Sequence, residues 1–352
     1  MRVLGRATAV AAAVAASVAL AACGGGSAGS TDAGASGSST AADKGTLTLY
    51  NAQHEDLMKL MVDGFTKETG IKVQMRSGED FELANQLVQE GAASPADVFV
   101  TENSPAMTLV DSKNLFAKVD ADALGQVPSQ YAPSDGDWVG FAARSTVFAY
   151  NTKQLQKADL PASLMDLADP KWKGKIGMSP GGADFQAIVS AVLSLKGEAA
   201  TAQWLKGLKE NAKIYQGNTS VMKAVNAGEI VGGVIYHYYW YKDRAESGAN
   251  SKDVELHFFG NQDPGAFVSV SGAGVLSSSK HAAQAQQLVD YLTSAAGQKV
   301  LADSAAMEYT VATDAPANPA LKPLTELDAP KIDPAKLNGP QVVELMQEAS
   351  LL

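Results

Sequence analysis

From residue 46 onward, short apolar runs alternate with longer stretches in which apolar positions recur every three or four residues. Leu47-Thr48-Leu49-Tyr50 reads as a strand, and residues 56–69 as a helix with Leu57, Leu60, Met61 and Phe65 on one face, stopped by Gly70. Ile71-Lys72-Val73-Gln74-Met75 alternates as a strand, residues 79–90 return to helical spacing, and Ala96-Asp97-Val98-Phe99-Val100 is a further strand. This β-α-β order predicts a mainly parallel sheet covered by helices. After a looser stretch at 125–137, residues 139–150 form a long predicted strand. Helices follow at 185–195, 199–208 and 220–227, then the apolar strand 230–235. Beyond the extended run Phe267-Val268-Ser269-Val270 come helices at 282–292 and 341–350. The runs at 139–150 and 267–270 are long or isolated enough to carry the chain between two bodies. With no short-period repeat to suggest a solenoid, the expected fold class is α/β with two lobes joined by crossing strands. Residues 46–143 with 270–319 are expected to build one lobe, and residues 144–269 with 320–352 the other.

The segment before this body has a different pattern. Arg2 and Arg6 precede an uncharged, mostly apolar run from Ala7 that ends in Leu20-Ala21-Ala22-Cys23, with Cys23 the only cysteine of the chain. A charged start, a short apolar core and small residues before a cleavage point make residues 1–22 a lipoprotein-type export signal. As a helix the run of 16 residues would span about 24 Å, short of the roughly 30 Å hydrocarbon layer. Lipidated Cys23 is therefore the expected anchor, on the extracytoplasmic face of the cell membrane. Residues 23–45 are rich in Gly, Ser, Ala and Thr without apolar periodicity, so they read as a flexible tether with a reach of about 26 Å.

Charge narrows the partners. Loss of Arg2 and Arg6 with the signal takes the formal charge from −10 to −12, which argues against nucleic acid and anionic lipid. A single cysteine excludes an internal disulfide and a thiolate metal cluster.

Ligands of open α/β sheets lie beyond the carboxyl ends of strands. Three such ends carry chemistry: Asn51-Ala52-Gln53-His54, Thr101-Glu102, and Tyr236-His237-Tyr238-Tyr239-Trp240. Singly, each has a plain structural reading: His54 as a hydrogen-bonding residue, Glu102 as a helix cap, and the aromatic run as packing at a helix start. Together, an imidazole, a carboxylate and two phenols form a hard donor set. Phenols ordinarily titrate near pH 10, so a strongly Lewis-acidic ion is needed to deprotonate two of them at neutral pH. Fe³⁺ fits, with Glu102 and two phenolates balancing its charge. On the first turn of a helix adjacent tyrosines lie about 100° apart and can converge.

These stretches resemble those of the bacterial ferric-ion-binding proteins of iron ABC importers, from Leu47 to about Ala317. The resemblance is carried by Leu49-Tyr50-Asn51-Ala52-Gln53-His54, Ser94-Pro95-Ala96-Asp97-Val98-Phe99, and Glu102 before Ser104-Pro105-Ala106. Asp169-Pro170-Lys171-Trp172, Tyr238-Tyr239-Trp240, Asp263-Pro264-Gly265-Ala266 and Ser271-Gly272-Ala273 extend it in the right order. It implies a two-lobed periplasmic-binding-protein fold, a monomer without enzymatic activity, that captures Fe³⁺ between its lobes and passes it to a permease. It also implies that His54, Glu102, Tyr238 and Tyr239 ligate the ion.

The resemblance further implies a small synergistic anion such as carbonate or phosphate in the positions left open. Arg144 matches the family's anion-facing arginine and Asn218 an anion-contacting asparagine. Where the family has a serine-containing turn, this chain has Gly181-Gly182-Ala183-Asp184. Asp184 is itself an anion at a helix start, so it is expected to cap the helix, to pair with Arg144, or to approach the metal in place of a free anion. Tyr236 and His237 are read as hydrogen-bond partners that orient the phenolates, or as packing. His257 and His281 are read as structural, and Asp135 and Asp137 as turn formers. Two other classes stay open on the sequence: a binding protein for another small solute or oxyanion using Arg144 and Asn218, and a secreted metal-assisted hydrolase. The latter lacks His-Glu-x-x-His, His-x-His and Gly-x-Ser-x-Gly signatures.

Overall fold

The computed structural model describes residues 45–352; the predicted signal, nearly all of the tether and Cys23 lie outside the described residues. The chain runs β1 (Thr46–Asn51), α1 (Glu55–Thr69), β2 (Lys72–Ser77), α2 (Asp80–Glu90), β3 (Val98–Val100), α3 (Ser104–Asp111), α4 (Ala121–Gln126) and β4 (Val139–Asn151). It continues through β5 (Ile176–Met178), α5 (Ala183–Lys196), α6 (Glu198–Asn211), β6 (Ala212–Ile214), α7 (Asn218–Ala227), β7 (Gly232–Tyr236) and α8 (His237–Glu246). The last elements are β8 (Val254–His257), β9 (Val268–Val275), α9 (Ala282–Thr293), α10 (Ala295–Asp303), β10 (Tyr309–Thr310) and α11 (Gly339–Glu348). Among the described residues no helix is long and apolar enough to cross a membrane.

The strands lie in the order β2-β1-β3-β9-β4-β7-β5-β6, with β8 and β10 also paired to β4. Pairing is parallel within each wing, β1 with β2 and β3, and β5 with β6 and β7. It is antiparallel wherever β4 or β9 takes part. The sheet is therefore mixed rather than mainly parallel. The cause is the pair of crossing strands: β4 leaves the first wing for the second and β9 returns, so the two run in opposite senses. All thirteen residues of β4 are buried, as befits a strand shared by both halves. Its residues 139–145 pair with β9, and residues 146–150 with β7.

Two main apolar cores flank this crossing. One gathers Leu49, Phe65, Val98, Phe141, Leu288 and Leu292, and the other Phe148, Trp172, Ile188, Trp204, Val234 and Leu345. The tail contributes to both, with Leu321 and Leu327 in the first and Leu337, Val342 and Met346 in the second.

Local signals place the helices. The αL conformation of Gly70, at φ 74°, ends α1 with its N–H on the Thr66 carbonyl. The buried face of α1 is Leu57, Met58, Met61, Val62 and Phe65. Leu60, expected on that face, is 49 % exposed. On a helix it lies about 60° from Leu57, and the inward stripe turns the other way through Met58 and Val62.

Candidate metal centre

The parallel strands of both wings point their carboxyl ends at one cleft, and five helices begin there. His54 is the N-cap of α1, Glu102 lies two residues before α3, Asp184 is in the first turn of α5, and Asn218 opens α7. Tyr238 and Tyr239 are in the first turn of α8. Each N-terminus carries a partial positive charge, so the cleft favours anionic donors.

The structure brings the four predicted ligands together. The Tyr238 hydroxyl donates to Glu102 Oε1 at 3.1 Å, and His54 Nε2 lies 3.5 Å from the same oxygen. The Tyr239 ring stacks on Tyr238 with centroids 4.2 Å apart, and its hydroxyl donates to Asp184 Oδ2 at 3.1 Å. Residues that follow β3 thus meet α5 and α8 across the cleft, a closed arrangement.

Asp184 is held from several sides. Asn218 Nδ2 donates to Oδ2 at 2.8 Å and Asn103 Nδ2 to Oδ1 at 3.1 Å. Burial, then the nearby Glu102 charge, raises its carboxyl to about 7. Asn218 therefore reaches a protein carboxylate where an anion contact was expected.

Arg144 is fully buried. Its Nη2 donates to Glu308 Oε2 at 2.6 Å and to Ser271 Oγ at 3.0 Å, and its Nη1 to the Glu102 carbonyl. Its ion pair is with Glu308, at 2.6 Å, and more loosely with Glu102 at 3.8 Å, rather than with Asp184. Burial pulls the guanidinium down, but Glu308 and Glu102 outweigh it and hold it well above its ordinary value.

Tyr236 and His237 bond away from the phenols. The Tyr236 hydroxyl donates to Asn103 Oδ1 at 3.3 Å, and His237 Nδ1 accepts from the Ser145 N–H at 3.1 Å while its ring stacks on Tyr309. His237 instead anchors α8 to β4, because it faces the crossing strand, and Tyr236, the last residue of β7, bonds the loop after β3, so the packing reading is the one that fits both. Burial lowers His237 to about 3, which keeps it neutral.

Sequence reading missed three supports. Asp80, buried, accepts the Glu102 and Asn103 N–H groups at 2.8 and 2.9 Å and so fixes the Glu102 loop. Gln53 accepts the His54 N–H at 2.6 Å and donates to Ser271 Oγ at 2.8 Å. Glu308 immediately precedes β10, with Oε1 3.2 Å from His54 Nδ1. Burial pushes Glu308 up, yet Arg144 and then His54 outweigh it and bring it to about 2.

Burial, then the Asp184 and Glu102 charges, raises both Tyr238 and Tyr239 far above the ordinary phenol value. Both phenols therefore hold their protons at neutral pH, and a strongly polarising cation would be needed to displace them. His54 is raised: burial pulls it down, but the Glu308 hydrogen bond and the Glu102 and Glu308 charges prevail. His257 and His281 sit outside the cleft, on the Pro161 carbonyl and on Asp97 respectively.

Two α/β halves joined by crossing strands, with a cleft lined by convergent donors, define a two-lobed solute-binding protein. The chain belongs to the bacterial extracellular solute-binding protein family, which it matches over residues 93–336. It is 61 % identical over 311 residues to the Fe(3+)-binding periplasmic protein of Serratia marcescens, covering 88 % of this chain and 92 % of that one. It is 37 % identical to the major ferric iron-binding protein of Neisseria meningitidis serogroup B, over 87 % of this chain and 93 % of that one. Among solved structures, iron-bound HitA from Pseudomonas aeruginosa superposes with a TM-score of 0.81 at 45 % identity, covering 86 % of this chain and 99 % of that one. These relatives are binding proteins rather than enzymes.

Proposed function

We propose that this protein captures Fe³⁺ in the cleft through His54, Glu102, Tyr238 and Tyr239 and delivers it to the permease of an ABC importer. The observation that carries the reading is the convergence of two buried or half-buried phenols, a carboxylate and an imidazole at the helix N-termini, with Glu102 Oε1 within 3.5 Å of both His54 Nε2 and the Tyr238 hydroxyl. The ferric-binding relatives, one of them 61 % identical, support it. The ion holds the closed form because the two donor sets meet only when the halves are together.

In this reading Asp184 supplies the negative charge that carbonate or phosphate would bring. Its carboxylate already takes the Asn218 amide, while Arg144 is taken by Glu308. The same facts weigh against a free oxyanion as the cargo, since both groups such a solute needs have protein carboxylates as partners. A lipid on Cys23 would keep the protein near its permease, as a monomer on the extracytoplasmic face of the cell membrane.

The test is Tyr239→Phe, which removes one phenolate and leaves the ring stack. Competition against citrate is expected to show a large loss of ferric affinity with an unchanged circular dichroism spectrum. Unchanged affinity in the folded variant would reject the ligand set.

A further inference from the structure

We propose that Glu308 is the positioning residue for His54: it fixes the imidazole proton on Nδ1 and so offers bare Nε2 to the cleft. The proposal rests on the ferric reading of that cleft. Glu308 is fully buried. Its Oε2 accepts from Arg144 Nη2 at 2.6 Å and from Gln53 Nε2 at 3.2 Å, and its Oε1 lies 3.2 Å from His54 Nδ1. A carboxylate committed to a guanidinium has only lone pairs to offer, so its approach to Nδ1 requires the proton on that nitrogen. The lone pair of the neutral ring is then on Nε2, the nitrogen 3.5 Å from Glu102 Oε1. In water a neutral histidine ring prefers its proton on Nε2, so the protein has to impose the other form.

Arg144 makes the arrangement possible. It neutralises Glu308 in a fully buried site and also bonds the Glu102 carbonyl and Ser271 Oγ. One buried ion pair thereby sets both the ring of His54 and the backbone of Glu102. A carboxylate behind a ligating histidine orients the ring and raises its basicity. Nothing in the local sequence Ala306-Met307-Glu308-Tyr309 signals this role. It arises because β10 pairs with β4 at Ala143 and Ala142, beside Arg144.

The experiment is nitrogen-15 NMR of histidine-labelled, iron-free protein above the imidazole pKa, with His54 assigned from His54→Gln, paired with ferric affinities from citrate competition. Wild-type His54 is expected to carry its proton on Nδ1. In Glu308→Gln the proton is expected to shift toward Nε2, and ferric affinity to fall by about 10–100-fold. Because Glu308→Gln leaves Arg144 buried without its partner, Arg144→Met/Glu308→Gln is measured alongside it and is expected to show the same proton shift. A wild-type His54 with its proton on Nε2 would overturn the proposal, as would a folded variant with unchanged proton position and affinity. Wild-type protein with the Nδ1 proton but no ferric binding would retain the assignment of Glu308 and remove the iron reading instead.

Discussion

Asp184→Asn should move stability and iron binding in opposite directions. The folded carboxyl titrates near 7, against 3.8 when unperturbed, so the folded state holds this proton more tightly than the unfolded chain. Its native pKa is raised, so stability is lost as pH climbs from about 4 to about 7. A difference of roughly 3 pH units is worth about 4 kcal/mol of strain in the iron-free protein at pH 8. Asparagine removes that charge but cannot accept from Asn103 and Asn218 together, which takes back about 1–2 kcal/mol. The variant is therefore expected to be more stable than wild type by about 2 kcal/mol at pH 8, with the advantage gone near pH 4. Urea unfolding of iron-free protein at both pH values measures this directly. Ferric affinity should fall at least about tenfold, because a carboxylate that stands in for an anion has been neutralised. A variant less stable than wild type at pH 8, or a gain that is the same at both pH values, would show that the Asp184 charge does not strain the iron-free fold.

Two other substitutions follow from buried and clustered charge. Arg144→Met leaves Glu308 uncompensated in a fully buried site and should cost about 3–5 kcal/mol in urea unfolding, most of it recovered in Arg144→Met/Glu308→Gln. Asp111, Asp135 and Asp137 bring their oxygens within 4.8 Å of one another, with Lys118 paired to Asp137. Burial, then Asp135 and Asp137, raises Asp111 to about 7, so its charge burdens the fold increasingly between about pH 4 and 7. Asp111→Asn should stabilise by about 1 kcal/mol at pH 8, after allowance for solvent screening, and by nothing near pH 4 in thermal melts.

The convergence of the four cleft residues was legible from strand ends. His54, Glu102, Tyr238 and Tyr239 each follow a strand that an apolar run marks, and the rule that ligands gather at such ends needs no tertiary information. The long apolar run at 139–150 likewise announced β4. Pairing direction was hidden, because whether β4 meets β9 parallel or antiparallel depends on a return crossing far along the chain. Leu60 was misplaced because an apolar residue one step off the stripe scores as well as one on it. Asp80 and Glu308 were illegible for a stronger reason. Each is an acidic residue in an ordinary polar context, and its importance comes only from the backbone of Glu102 or from Arg144, residues far away in sequence. The fate of Arg144 and Asn218 was hidden for the same reason, since the carboxylates that engage them arrive from distant segments.

Ferric capture by the two phenols would be read most plainly in the visible spectrum during ferric citrate addition to iron-free protein. A phenolate-to-iron charge-transfer band is expected that saturates at one iron per chain without added carbonate or phosphate, and that is missing in Tyr238→Phe/Tyr239→Phe. A folded wild-type protein that develops no such band, or a band that survives loss of both phenols, would contradict such capture.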